Sequence, residues 1–456
     1  MDVARVNITP WYPNFLNPEF DFATDTSSLP FSATIGVGQL HPLDASGSDA
    51  RLDDYGTLIG VYVQDQWNPH PRWTFNLGIR YDAELHTWNN DRRVPWADST
   101  ALVNALGQEW LNTGDRSNDL NNIAPRISLN YDLFGTNRTV LRCGYGILFE
   151  RTPYFIPYLE RRDVSWRTYT INNPGTLDPD VLRQREAPPS INLLNHNMSA
   201  PQFHVLSFGV GHQISQDLSM NIDYLDERSN SWFTEVNVNY YKPSIGRRVL
   251  LQNFGDIVLW GNFASTRYHG LFTNVVYGTD NARLSLAYTL SWSYSDQDNY
   301  FPPVTDISKL NEQRSSSDER HRVVLSGGVS LPFGFHVSGI VTIASPHPFS
   351  VFVGRDLNDN SYTSDDWPNG ERNQLPDVRK VRNWYKMVDV RISKVIEISS
   401  VTTEVIFEAF NAFNWFNASS YAGVEYDRKG NPLTSFGTPT GTYPPRQMQL
   451  GLRVRY

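Results

Sequence analysis

Asp356, Asn358 and Asn360 place oxygen-bearing side chains at alternate positions of an acidic stretch that runs from Asp356 to Asp366. That i, i+2, i+4 spacing opens a calcium loop, because a hard cation needs several oxygens converging from one tight turn. Two positions depart from the pattern: Ser361 stands where such loops turn on a glycine, and Trp367 stands where a bidentate glutamate would close the shell. The same residue types build Asx turns in a solvated loop, so a structural Ca2+ and a metal-free loop are both open readings. His196, His204 and His212 recur at a fixed interval, but in extended chain each step is roughly 26 Å, too far to share a metal. Asp65, Asp223, Glu404 and Glu408 fall on polar faces of strand-like segments, where a pair would serve as acid and base or simply as interior charge. Arg126, Arg142, Arg283, Arg453 and Arg455 lie on similar faces. No HExxH, Walker loop, dinucleotide fingerprint or nucleophile elbow occurs in the sequence, so no catalytic residue and no resident cofactor is expected. The only cysteine, Cys143, permits no internal disulfide and no CxxC site, and reads as a small hydrophobe.

The elements that must carry these groups follow a period of two. In Trp73-Thr74-Phe75-Asn76-Leu77-Gly78-Ile79-Arg80-Tyr81 the odd positions are apolar and the even ones small or polar. Ile127 to Leu133, Leu218 to Tyr224 and Leu284 to Trp292 repeat the pattern, each a strand with one apolar face. From Trp73 to Tyr81 is roughly 26 Å of strand, or roughly 20 Å along a membrane normal at a tilt of about 40°. Aromatics make up 13% of the 456 residues, and no run is as long as a transmembrane helix. The net charge of −9 argues against a nucleic-acid partner, which needs clustered Lys and Arg. Alternation alone suits a lipid-facing strand and a soluble sandwich equally.

The connections separate the two. Short turns at 68–71, 215–217, 278–280 and 332–334 alternate with long polar stretches at 83–124, 150–203, 295–320, 346–386 and 414–446. Short turns at one end and long loops at the other is the asymmetry of outer-membrane barrels, with turns periplasmic and loops extracellular. The expected fold is all-β, an antiparallel transmembrane β-barrel of about 16 strands, counting strands near 3–9 and within 229–264. The closing segment Gln447–Tyr456 alternates throughout, which turns Met448, Leu450, Leu452, Val454 and Tyr456 toward lipid and Arg453 and Arg455 toward the lumen.

Several stretches in order along the chain resemble the barrel of TonB-dependent outer-membrane receptors, in particular the large Oar-like group. They are Val61-Tyr62-Val63-Gln64-Asp65-Gln66-Trp67, Asn76 to Asp82, Ala124-Pro125-Arg126, Val140 to Ile147, Glu319-Arg320-His321-Arg322, Gly354 to Asn358, Phe407 to Asn414 and Pro444 to Gln447. The resemblance implies a non-enzymatic protein of the Gram-negative outer membrane that takes up a bulky solute or acts in surface interaction. It implies outer-membrane lipid and the barrel-assembly machinery as partners, the latter reading Met448, Leu450, Leu452, Val454 and Tyr456. It implies TonB only if a plug domain is encoded upstream. Relatives have about 22 strands, so residues 1–456 are expected to be one barrel domain lacking signal peptide, plug and early strands, part of an incomplete 22-stranded barrel. Met1 to Asn7 has neither the basic start nor the apolar run of a secretory signal. A passive porin or adhesin barrel, and a secreted β-rich carbohydrate-active enzyme with a paired-carboxylate cleft, are the alternatives.

Overall fold

The structure, a computed structural model, describes residues 2–8, 18–22, 27–38, 42–44, 47–48, 54–94, 96–184, 188–298, 304–375, 383–427 and 429–456. Met1, where the amino-terminal reading starts, lies outside them, as do parts of the long connections.

Alternation of β-branched and aromatic residues with small polar ones produces one continuous antiparallel sheet. Its path runs through β1 (Asp2–Ile8), β2 (Asp54–His70), β3 (Trp73–Leu85), β4 (Asp119–Asp132), β5 (Thr139–Phe149), β6 (Gln202–Gln213) and β7 (Leu218–Asn237). It continues through β8 (Ile257–Gly278), β9 (Ala282–Ser295), β10 (His321–Leu331), β11 (Phe335–Ala344), β12 (Tyr385–Ile398), β13 (Val401–Phe410) and β14 (Gln447–Arg455). The sheet holds 16 strands in all, because two short pieces lie off this antiparallel path: Ile191–Leu194 pairs with β8 in parallel and Gln313–Arg314 with β9 antiparallel. Neighbours on the path are neighbours in sequence, as in a meander.

All the tight connections lie at one end, and the structure adds those at 133–138 and 399–400 to the ones expected. Turn chemistry fixes them. In the turn after β10, Gly334 has φ +74°, and a Cβ there would sit 2.7 Å from the Val395 carbonyl oxygen. In the turn after β4, the Asp132 carboxylate accepts the backbone N–H groups of Gly135 (3.0 Å) and Asn137 (2.8 Å). At the opposite end the long loops fold into a cap with its own cores: Trp88, Ile156, Leu194, Met198, Phe233 and Trp260 form one cluster, Leu102, Trp110, Leu193, Phe254 and Ile257 part of another. These loops were expected to be solvated and polar; the apolar residues scattered through them instead pack together.

The region 229–264 resolves differently from separate strands. β7 and β8 run for 20 and 22 residues, about twice what a tilted crossing needs, and their register shifts between Ser229 and Trp232 and again between Trp232 and Thr234. Their upper halves stand beyond the membrane and carry the cap.

One sheet face has no protein over it. Val63, Phe208, Leu286, Leu450 and Leu452 are exposed, Leu450 by 80%, whereas a sandwich would bury such residues against a second sheet. Trp67, Phe75, Trp73 and Tyr131 form an aromatic row toward the turn end, with Trp73 stacked on Phe75 and the flanking rings tilted, where interfacial aromatics belong. Asp65 is misplaced by the sequence reading. Its register partner is Leu77, so it shares the outward face with Val61, Val63 and Trp67. The run Gln64-Asp65-Gln66 is polar at both parities and hides the alternation; Asp65 sits beside Trp67 near the turn end, within reach of water.

Candidate functional site

The inward face carries charge in register. Arg142 on β5, Gly209 on β6 and Asp223 on β7 form one row, and Arg142 reaches across the glycine to Asp223 at 2.9 Å. A Cβ at Gly209 would meet both partners, 2.0 Å from the carboxylate oxygen and 3.3 Å from Arg142 Nε. The glycine is therefore the residue that lets this pair form. Arg391 on β12 lies between Glu408 (3.2 Å) and Glu404 (3.4 Å) on β13, and Arg453 on β14 joins Glu404 at 3.3 Å. Glu404 and Glu408 are thus bridged by a guanidinium and bear none of the freedom of an acid–base pair. Each such partly exposed pair contributes little stability. Together they make a charged, water-compatible wall, the reading that interior charge suggested. Arg126 and Arg283 face the same interior by register, opposite Gly78 and Gly328, and Arg455 pairs in register with Thr402. Cys143 faces outward with Leu129.

Above this wall, at the loop end, a cavity of about 650 Å³ opens where β10, β11 and β12 enter the cap. Ser345 to Phe349, Trp384 and Tyr385, and the hairpin of Ala418–Tyr421 with Pro439–Thr442 contribute its walls. Phe349 stacks on Tyr421 with centroids 5.2 Å apart, and Tyr385 meets Tyr443 edge-on at 5.0 Å. Glu319 holds Arg322 at 3.2 Å and His347 at 3.6 Å on one flank. Burial raises the Tyr421 hydroxyl above its ordinary value, so it stays a neutral donor. Aromatic platforms with a polar rim suit a bulky ligand with both apolar and hydrogen-bonding surface. Sequence reasoning missed this cavity, since its walls come from segments about a hundred residues apart.

The acidic loop lies elsewhere on the cap. Asp356 accepts the backbone N–H of Asn360 (3.1 Å) and of Ser361 (2.8 Å), and the Asn360 side-chain oxygen accepts that of Tyr362 (2.8 Å). The side-chain amides of Asn358 and Asn360 both donate to Asp365, at 3.0 and 2.6 Å. These are Asx turns, and they occupy the Asp356 and Asn360 oxygens that the spacing offers to a cation. Among the described residues no three His, Cys, Asp or Glu side chains gather as a metal cage. The loop is also tied to the segment after β7: Ser361 donates to the Tyr241 carbonyl (2.9 Å), and Ser244 N–H to Asp359 (2.8 Å). The Ser244 hydroxyl also donates to Asp359, and this bond above all holds the carboxyl below the usual carboxylate range.

Two groups inside the cap are displaced in the other direction. Burial, and then the Asp256 charge, push Glu235 up to about 8, and the same two causes push Tyr362 up to about 12. A fully buried ion pair locks the cap's interior: Arg116 meets Glu160 through two bonds of 2.9 and 2.8 Å, and also donates to the carbonyls of Trp88 and Leu194. Removing either partner would strand a charge in the core. Met448, Leu450, Leu452 and Val454 stand together on the outward side of β14 and Arg453 on the inward side, with Tyr456 exposed just beyond the strand's end.

A family model described as outer membrane beta barrel domain matches residues 2–387. Among solved structures, the outer membrane transporter YddB from Escherichia coli superposes with a TM-score of 0.56 at 11% identity, over 92% of this chain and 49% of that one. The ferric enterobactin receptor PfeA from Pseudomonas aeruginosa gives 0.52 at 12%, over 93% and 49%. The siderophore receptor PirA from Acinetobacter baumannii gives 0.51 at 9%, over 99% and 53%. The chain spans about half the length of these receptors, and at such identities the likeness is one of fold. No curated protein matches it.

Proposed function

The chain belongs to the outer membrane β-barrel domain family, and on that premise we propose that it forms the barrel and extracellular cap of a receptor that captures a bulky solute. The observation that carries this is the aromatic cavity at the loop end, set directly above a charged interior. Solute binds between the Phe349–Tyr421 stack and Trp384, then meets the Arg391 and Arg142 rows on its way inward. TonB is a partner only if a plug domain is encoded upstream of this barrel, and the outward residues of β14 are the surface offered to the assembly machinery. PfeA is a ferric enterobactin receptor and PirA a siderophore receptor, which makes ferric chelates the first ligands to try here.

The test is tryptophan fluorescence of the full chain folded in detergent, titrated with a ferric catecholate, a corrinoid, a maltodextrin and an oligopeptide. At least one is expected to bind, and Tyr421→Ala to weaken it about tenfold, as loss of one stacked ring and its hydroxyl allows. Absence of binding by all four, with large ohmic conductance in planar bilayers, would replace the receptor with a passive pore.

A further inference from the structure

The outward face of β7, β8 and β9 is apolar up to Leu271 and Leu290, aromatic in the next row at His269 and Trp292, and basic in the row above at Arg228 and Arg267. Arg228 and Arg267 lie ten residues along their strands from Leu218 and Tyr277 at the turn end. That is roughly 33 Å of strand, or about 25 Å along the normal at a tilt of about 40°, the height of a barrel's apolar band. The arginines therefore stand where the hydrocarbon ends, on the side of the long loops.

Two more guanidiniums join them. Arg314 is the register partner of Tyr294, and Arg320 lies over the Trp292 ring at 4.9 Å, as Arg267 lies over Tyr294 at 5.2 Å. Three carboxylates face these four cations. Asp226 holds Arg228 at 2.6 Å, Glu312 holds Arg267 at 2.8 Å, and buried Asp318 is shared by Arg314 (2.6 Å) and Arg320 (3.1 Å). Four guanidiniums against three carboxylates leave the cluster with an excess of positive charge, which the exposed edges of Arg228 and Arg267 present outward, while Nε of Arg267, Nε of Arg320 and a terminal nitrogen of Arg314 lie buried within it without an acceptor. Arg72 at the turn end shows the contrast, since it spends its donors on the Asp132 and Leu133 carbonyls and the Tyr131 hydroxyl.

We infer that this face docks an outer-leaflet lipid that carries a terminal phosphate monoester, with acyl chains along Leu271 and Leu290 and the phosphate on the arginine row. Guanidinium forks match a tetrahedral oxyanion, and rings stacked beneath them hold the forks level with the headgroups. A dissolved phosphate would gain nothing from the apolar stripe below, so the acylated form is the one recognised.

Native mass spectrometry of the full chain in detergent tests this, with dioleoyl phosphatidic acid and dioleoyl phosphatidylcholine as probes. Phosphatidic acid is expected to be retained preferentially, and the triple replacement of Arg228, Arg267 and Arg320 by Gln to lower its retention about tenfold. Phosphatidylcholine retention and the Arg72→Gln control should not change. Arg228→Gln alone, at the most exposed of these arginines, is expected to lower retention about threefold and covers a triple variant that does not fold. Equal retention of both lipids, no loss in either variant, or displacement of the lipid by equimolar inorganic phosphate would overturn the proposal.

Discussion

Glu235 sits some 17 residues along β7 from Leu218, well above the membrane, and its side chain is largely withdrawn from water. Its carboxyl is pushed up to about 8 by burial, from an ordinary value near 4.5. The folded cap therefore keeps a proton that the unfolded chain releases between about pH 4.5 and pH 8. By linkage, stability from this group is fully present below about pH 4.5 and is lost as pH rises through about 8. Limited proteolysis of the cap should thus be slower at pH 5 than at pH 8.5. Glu235→Gln, neutral at both, should flatten that difference; an unchanged pH profile in the variant would place the titration elsewhere.

A strand's two faces answer differently to the same charge. On β14, Leu450 faces outward and is exposed by 80%, whereas Gln449 points inward to Glu408. Leu450→Arg is expected to destabilise the membrane-folded protein by about 2–4 kcal/mol, and Gln449→Arg by near zero, in guanidinium unfolding followed by gel mobility. Equal effects would mean that β14 is not lipid-facing. Such faces were legible in the sequence because a half-buried strand enforces period two, as from Trp73 to Tyr81, and because turn residues such as Pro332-Phe333-Gly334 declare the hairpins. Legibility stopped where register and tertiary contact take over. The polar run around Asp65 hides its parity. The bulge after Ser229 disguises one long strand as two. Arg116 and Glu160 meet across 44 residues, and Phe349 and Tyr421 across more, so neither the cap's core nor the cavity leaves a local pattern. Asp356, Asn358 and Asn360 leave a Ca2+ shell and a loop of Asx turns both open by their spacing alone, and the side-chain acceptors of Asp356 and Asn360 are engaged by backbone N–H groups.

At the scale of the molecule the question is circumference. The hydrogen-bonded path runs from β1 to β14, and among the described residues no pairing joins those two edges. A closed ring of this path alone, at about 4.8 Å per strand and a tilt of about 40°, would be about 28 Å across between backbones. Twenty-two strands would give roughly 44 Å by the same arithmetic, room for a plug. Hydrocarbon decides between closure and an open edge, since each backbone group left without a partner there costs several kcal/mol, and the nine residues of β14 offer a row of them. In the inserted protein every amide from Gln447 to Arg455 is therefore expected to resist hydrogen exchange, alternate ones through β13 and the rest through a strand on the far side. Exchange within seconds at alternate residues of β14 would show a sheet that stays open. If all are protected, crosslinking cysteines placed at Val3 and Met448, both on the outward face by register and toward the loop end, would then distinguish a ring closed by β1 from one completed by further strands, and with it a narrow channel from a receptor-sized lumen.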